Sequence, residues 1–215
     1  MTTCWYCSSE VPETSQYCPS CGHSQIDRTS SPLFGVVDTT TGIWNSKFVN
    51  ALVGQEANRA VRYRRPLSVL IVEVDHAEHI HNELDQIQID GLMRETAERL
   101  GQAVRDTDTV SFLDSDGPPH FAIVLPETDE QGAALAADKI RRSIASHDFG
   151  TAGAWKRITV SCGAATIDAD YRPKDEAGLM NRREYTGNLL REARHALDTG
   201  RSAGTNRTSV GAYRS

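Results

Sequence analysis

The sequence predicts an α+β (α/β) domain, an antiparallel sheet with helices packed on one face, joined to a small metal-binding module near the N-terminus. Three observations carry this expectation. Apolar runs of strand length alternate with longer segments whose apolar residues recur at helical spacing. Two of the strand-like runs flank a single polar turn cluster, the pattern of a β-hairpin. Four of the five cysteines, Cys4, Cys7, Cys18 and Cys21, fall in two pairs with two residues between members.

The elements follow in order. Residues 1–26 are dense in Cys, Ser, Pro and Gly, residues 27–37 lack periodicity and read as a linker, and residues 38–215 form the main domain. From Asn45 to Arg64, Phe48, Leu52, Val53, Ala60 and Val61 recur at helical spacing until Pro66 forbids continuation. Leu67 to Val74 is apolar except at Ser68 and Glu73, which predicts a central strand covered on both faces. Ile89 to Val104 is helical through Leu92, Met93, Ala97, Leu100 and Val104.

Val110 to Leu113 and His120 to Leu125 are the two arms of the hairpin, around the turn cluster at 114–119. Thr128-Asp129 opens the next helix, because a short polar side chain satisfies the free amides of a first turn; it runs to about Ala145. A strand over Ile158 to Thr166, a helix around Gly187 to Asp198 and a last strand over Arg207 to Val210 complete the chain. The order β-α-β-β-α-β is the ferredoxin-like one.

Composition bounds the function. The chain has 215 residues, 39% hydrophobic and 24% charged, near the globular average. A body of roughly 170 residues buries about 70% of its extended-chain surface and folds without staples. The net charge of −6 and the lack of a lysine or arginine block argue against nucleic acid as a partner. Met1 to Ser9 lacks the pattern of a signal peptide, and no apolar run approaches the ~20 residues that span a bilayer, so a cytoplasmic protein without membrane contact is expected.

The paired cysteines have the spacing of two metal knuckles. Two thiolates per pair reach one Zn²⁺ at about 2.3 Å, and two pairs close a tetrahedron with no open position, which makes the site structural. So short a segment buries no core, and the metal supplies most of its folding free energy. Redox dithiols are the competing reading. The pattern resembles a small zinc ribbon; such modules mostly dock proteins or nucleic acids, and the acidic charge favours protein. Cys162, within the run Ile158 to Ala165, reads as a small buried side chain. His76, His79 and His81, beside Asp75 and Glu78, invite a second metal site but read more simply as an exposed polar loop.

Asp38-Thr39-Thr40-Thr41-Gly42-Ile43-Trp44-Asn45-Ser46-Lys47-Phe48 resembles the D-x-L-T-G-L-x-N opening of GGDEF domains, the diguanylate cyclases that condense two GTP into cyclic di-GMP. The likeness continues through Arg64 to Leu67, Leu125 to Asp129, Thr159 to Ala165 and Ala203 to Arg207, in the family's order. It implies a palm-type domain of the predicted class, and Mg²⁺ held with GTP by two carboxylates. Glu73 stands where the family has the first of these, in the first core strand. The signature G-G-D/E-E-F aligns with Gly117-Pro118-Pro119-His120-Phe121: Pro119 replaces the second carboxylate, Pro118 the second glycine, and His120 the remaining acid.

Other positions of the resemblance are mixed. Asp90 matches the family's guanine-reading Asp, whereas the guanine-contacting Asn is His81, with Asn82 one place late. Arg201 stands at the phosphate-binding Lys position and Thr205 at a basic one. Arg105-Asp106-Thr107-Asp108 represents the inhibitory R-x-x-D site, where a forked guanidinium and a carboxylate grip cyclic di-GMP; as a plain alternative, Arg105 and Asp108 end a helix. The resemblance therefore implies nucleotide contacts at Asp90, Arg105, Asp108 and Arg201 and no catalytic residue. Two function classes remain open: a degenerate domain that binds GTP, cyclic di-GMP or a protein partner, and an active diguanylate cyclase, which would dimerise.

Overall fold

The computed structural model describes residues 2–3, 10–12, 35–113, 119–150, 155–171 and 182–213. Two short strands, β1 (Thr2–Thr3) and β2 (Glu10–Val11), pair antiparallel. The main domain runs α1 (Ser46–Tyr63), β3 (Leu67–Val74), α2 (Ala77–Glu83), α3 (Gln86–Ala103), β4 (Thr109–Leu113), β5 (His120–Pro126), α4 (Glu130–Ser146), β6 (Val160–Ile167), α5 (Arg182–Ser202) and β7 (Thr208–Ala212). Its five-stranded sheet has the order β4-β5-β3-β6-β7.

Local chemistry explains the entry to the domain. Asp38 Oδ1 accepts from the Thr41 amide at 2.7 Å and the Thr41 hydroxyl at 2.6 Å, closing a tight turn in which Gly42 takes φ +75°. Glycine bears that angle without steric cost. Asn45 then caps α1, its side chain accepting from the Lys47 and Phe48 amides. The helix ends at Arg64 in the left-handed region, where Pro66 forbids another turn. Asp85 and Gln88 form a reciprocal capping box that starts α3 at Gln86, three residues ahead of Ile89, where the helical period of the sequence begins.

Every residue of β3 and β6 is buried, because helices cover both faces of the sheet. Leu70, Val72, Val74, Phe121 and Ile123 pack with Leu92, Met93 and Leu100 of α3 and Ile140 and Ile144 of α4. Val69, Ile71, Ala122, Val124 and Ala165 pack on the other side with Val49, Val53 and Ala57 of α1 and Leu189, Ala193 and Leu197 of α5. Two expectations are corrected here. The helices do not lie on one face, since α1 and α5 bury their apolar stripes against the face opposite α3 and α4. The sheet is not wholly antiparallel, since β7 pairs parallel to β6 across the α5 crossover.

Ser68 and Thr166, polar residues buried inside the sheet, are satisfied. Ser68 Oγ donates to the Thr128 carbonyl at 2.7 Å and shares a 2.8 Å bond with Thr166 Oγ1. Among the described residues no helix is long and apolar enough to cross a membrane.

Candidate functional site: a buried ion triad beside an apolar cavity

The alternation of side chains along a strand decides which residues meet at the C-terminal end of β3. Glu73 lies opposite His120 of β5 on one side and Ser161 of β6 on the other. Glu73 and His120 are 1% and 0% exposed. His120 Nε2 sits 2.5 Å from Glu73 Oε2, while Arg201, at the last turn of α5, brings Nη1 onto Glu73 Oε1. Three ionisable side chains from three elements thus share one buried point.

The charge state follows from the surroundings. Burial pushes the Glu73 carboxyl up, but the His120 hydrogen bond, the charge of His120 and those of Arg201 and Arg194 together outweigh it and hold the group below its usual 4.5. An ionised carboxylate only accepts, so His120 Nε2 carries the hydrogen of this bond. Its Nδ1 is buried without a hydrogen-bond partner.

Two residues on, Asp75 is buried and fully used. Its Oδ1 accepts from Ser161 Oγ at 2.7 Å, and its Oδ2 from Thr159 Oγ1 at 2.6 Å and the Asn206 amide at 2.8 Å. Asn206 has φ +56°, and its side chain accepts from Arg141 Nη1 at 2.9 Å. Asp75 thereby ties the turn between α5 and β7 to the sheet, which sets where α5 ends and where Arg201 points.

These residues do not fit the divalent ions that the family resemblance implies. Mg²⁺ requires near-octahedral oxygen ligands at about 2.0–2.1 Å. Glu73 has each oxygen engaged by a cationic or hydrogen-bonding partner, and Pro119 has no side-chain donor. Gly117 and Pro118 lie outside the described residues.

On the other face of the sheet, a cavity of about 510 Å³ opens between β3, α2 and α3. Val74, Ala77, Ile80, Ile89, Met93 and Pro119 make it mostly apolar, and Glu78, His81 and Asn82 are its polar residues. Among the described residues no lysine or arginine lines it.

The four residues matched to nucleotide contacts are not brought into one place. Asp90 is half-buried near the start of α3 and accepts from Gln86 Nε2 at 2.7 Å. Arg105 and Asp108 follow the end of the same helix, ~22 Å away at 1.5 Å per residue. There the Arg105 amide donates to Asp108 Oδ2 at 2.9 Å, a turn that ends the helix, and the two residues line a 220 Å³ cavity with Lys139. Arg201 is turned inward onto Glu73. The resemblance set Glu73 and His120 against the family pattern but gave no sign that they pair; the signal was the register of β3 on β5, which needs the fold.

Cys4, Cys7, Cys18 and Cys21 lie outside the described residues. Among the described residues no group of three His, Cys, Asp or Glu side chains is placed to hold a metal. His79 pairs with Glu83 at 3.3 Å and meets Trp155 edge-on, and His76 caps α2 at φ +59°. Cys162 is buried, and desolvation pushes its thiol up to about 12, so it is inert packing.

The family description "Diguanylate cyclase, GGDEF domain" matches residues 35–207. Among curated proteins, the chain is 29% identical over 138 residues to Diguanylate cyclase DosC of Escherichia coli K12, covering 63% of this chain and 29% of that protein. It is 24% identical over 175 residues to Diguanylate cyclase DgcP of Pseudomonas aeruginosa, covering 81% of this chain and 24% of that one. The chain thus spans less than a third of the length of these relatives. Among solved structures, the active GGEEF domain of a diguanylate cyclase from Vibrio cholerae superposes with a TM-score of 0.64 at 22% identity, over 80% of this chain and 97% of that one. The FimX GGDEF domain from Pseudomonas aeruginosa does so with a TM-score of 0.68 at 17% identity, over 80% and 98%. With the family match spanning residues 35–207, most of the chain, and the fold agreeing, the chain belongs to the GGDEF family.

Proposed function

We propose that this chain is a catalytically silent GGDEF domain that works by binding, as a regulatory module in cyclic di-GMP signalling. One observation carries the reading: Glu73, at the position of the first metal-binding carboxylate, is buried between His120 and Arg201, while Pro119 stands where the second would be. Without two free carboxylates, neither the positioning nor the charge neutralisation of a two-metal reaction is available, and each 1.4 kcal/mol lost is tenfold in rate. Incubation with GTP and Mg²⁺ or Mn²⁺ is therefore expected to give no cyclic di-GMP. Product at rates typical of cyclases would establish the alternative, an active diguanylate cyclase.

The ligand in this reading is GTP at Asp90 and Arg201, cyclic di-GMP at Arg105 and Asp108, or a protein. A GGDEF domain of DgcB from Caulobacter crescentus was solved in complex with c-di-GMP, and diguanylate cyclase SiaD of Pseudomonas aeruginosa with its activator SiaC. For cyclic di-GMP, Arg105 is the informative position, being exposed beside Asp108 and Lys139. Arg105→Ala leaves phosphates unpaired and is expected to weaken binding roughly ten- to hundredfold in titration calorimetry, about 1.5–3 kcal/mol. Unchanged affinity would remove cyclic di-GMP from this place and leave the protein partner.

The domain boundaries belong to the same proposal: a zinc ribbon over 1–26, a linker over 27–37 and the GGDEF domain over 38–215, in a cytoplasmic protein. The hairpin of β1 and β2 supports the ribbon, because its strands bracket Cys4 and Cys7. Metal analysis of protein purified without chelator is expected to find one zinc per chain, released by Cys4→Ser or Cys21→Ser with the main domain still folded. Zero zinc would end the ribbon reading. Deletion of residues 1–26 is the matching test for capture of a protein partner.

A further inference from the structure

We infer that the chain carries its own cation where a divalent ion would otherwise sit: the guanidinium of Arg201 neutralises Glu73 while the ring of His120 donates to its other oxygen, so this end of β3 excludes Mg²⁺ and Mn²⁺. This deepens the reading of a silent domain by saying why the site is silent and what holds it shut.

The argument rests on placement. Glu73 is a buried carboxylate, and an uncompensated buried charge is too costly to persist. The fold supplies compensation from two directions, β5 through His120 and the last turn of α5 through Arg201. Each takes a different oxygen of the carboxylate, so neither oxygen is without a partner. Arg201 does not reach there by chance of a long side chain alone. The turn after α5 is fixed by Asp75 through the Asn206 amide, and Gly163 lets α5 lie against β6. A metal ion would have to displace Arg201, whose positive charge repels it, and Asp75, the other buried acid at this end of β3, has its oxygens taken by Ser161, Thr159 and the Asn206 amide.

The test reads metal at this point rather than product. In isotopically labelled, zinc-loaded full-length protein, MnCl₂ is titrated while the His120 ring resonances are followed, since a paramagnetic ion on Glu73 would broaden them first. No selective broadening is expected even at millimolar Mn²⁺. Selective broadening of His120 at micromolar Mn²⁺ overturns the proposal. The complementary variant, His120→Asp with Arg201→Met, places a second acid beside Glu73 and removes the internal cation. It is expected to bind Mn²⁺ at least about tenfold more tightly than the natural chain, and adding Glu73→Gln is expected to abolish the gain. Binding by the variant no tighter than by the natural chain also overturns it. Should the variant fail to fold, the titration of the natural chain decides alone. Product from GTP with no Mn²⁺ at His120 would sink the functional reading and leave this one standing; Mn²⁺ at His120 without product would do the reverse.

Discussion

Glu73→Gln is expected to lower the stability of the main domain by about 3 kcal/mol at neutral pH. Removing one partner of a buried ion pair costs about 3–5 kcal/mol, because the charges left behind are unpaired in a low-dielectric site. The lower end applies here, since the Arg201 side chain is 33% exposed and reaches water once released. For a domain of this size, the melting temperature should fall by roughly 6–12 °C. The pH dependence identifies the cause. The folded Glu73 is held below its usual 4.5, so its contribution is complete above that pH and is lost as pH falls through the folded value. The gap between the natural chain and the variant should therefore be full at pH 7 and close on acidification below about pH 4.5. A gap that stays constant down to pH 3, measured by urea unfolding, would show that the variant acts through packing rather than charge. Replacing Glu73, His120 and Arg201 together by apolar residues should cost much less than Glu73→Gln alone, because no orphan charge remains.

The fold was largely legible because its signals are local. Asn45 before an apolar-periodic run and Pro66 after it bound α1 to within a residue or two, and the turn cluster between Leu113 and His120 marked the β4-β5 hairpin. α2 escaped because seven residues with one buried side chain, Ile80, carry no period. Helix coverage of both faces was in fact written in the apolar run of β3, which only Ser68 and Glu73 interrupt, and the ferredoxin-like template was the weaker guide. The triad is a different matter. His120 and Glu73 are 47 positions apart and meet only because β3 and β5 adopt one register out of several; Arg201 joins through a crossover helix. A resemblance can mark positions such as Pro119 and His120 for attention, but not which residue answers which.

Gly163→Ala should destabilise the domain by about 3–4 kcal/mol and disturb the triad with it. An added methyl usually costs about 1–3 kcal/mol in a packed core when side chains can shift. Here the obstruction is backbone: a Cβ on Gly163 would lie 2.7 Å from Leu197 Cα, and closer still to the Ala193 carbonyl oxygen and the Leu197 amide nitrogen. Neither α5 nor β6 can yield locally, because Gly163 is paired to Ile71 on one side and Ser209 on the other, in the middle of the sheet. The helix must lift off as a unit, and Arg201, one turn beyond Leu197, moves away from Glu73 with it. Gly101→Ala is the control, since a methyl at that exposed position of α3 meets nothing within 4 Å. It should leave stability unchanged or raise it by up to about 1 kcal/mol. Urea unfolding of both variants, with the His120 ring resonances as a reporter of the triad, makes the comparison. Gly163→Ala within about 0.5 kcal/mol of the natural chain, with those resonances unmoved, would mean that α5 does not press on β6 closely enough to set the position of Arg201.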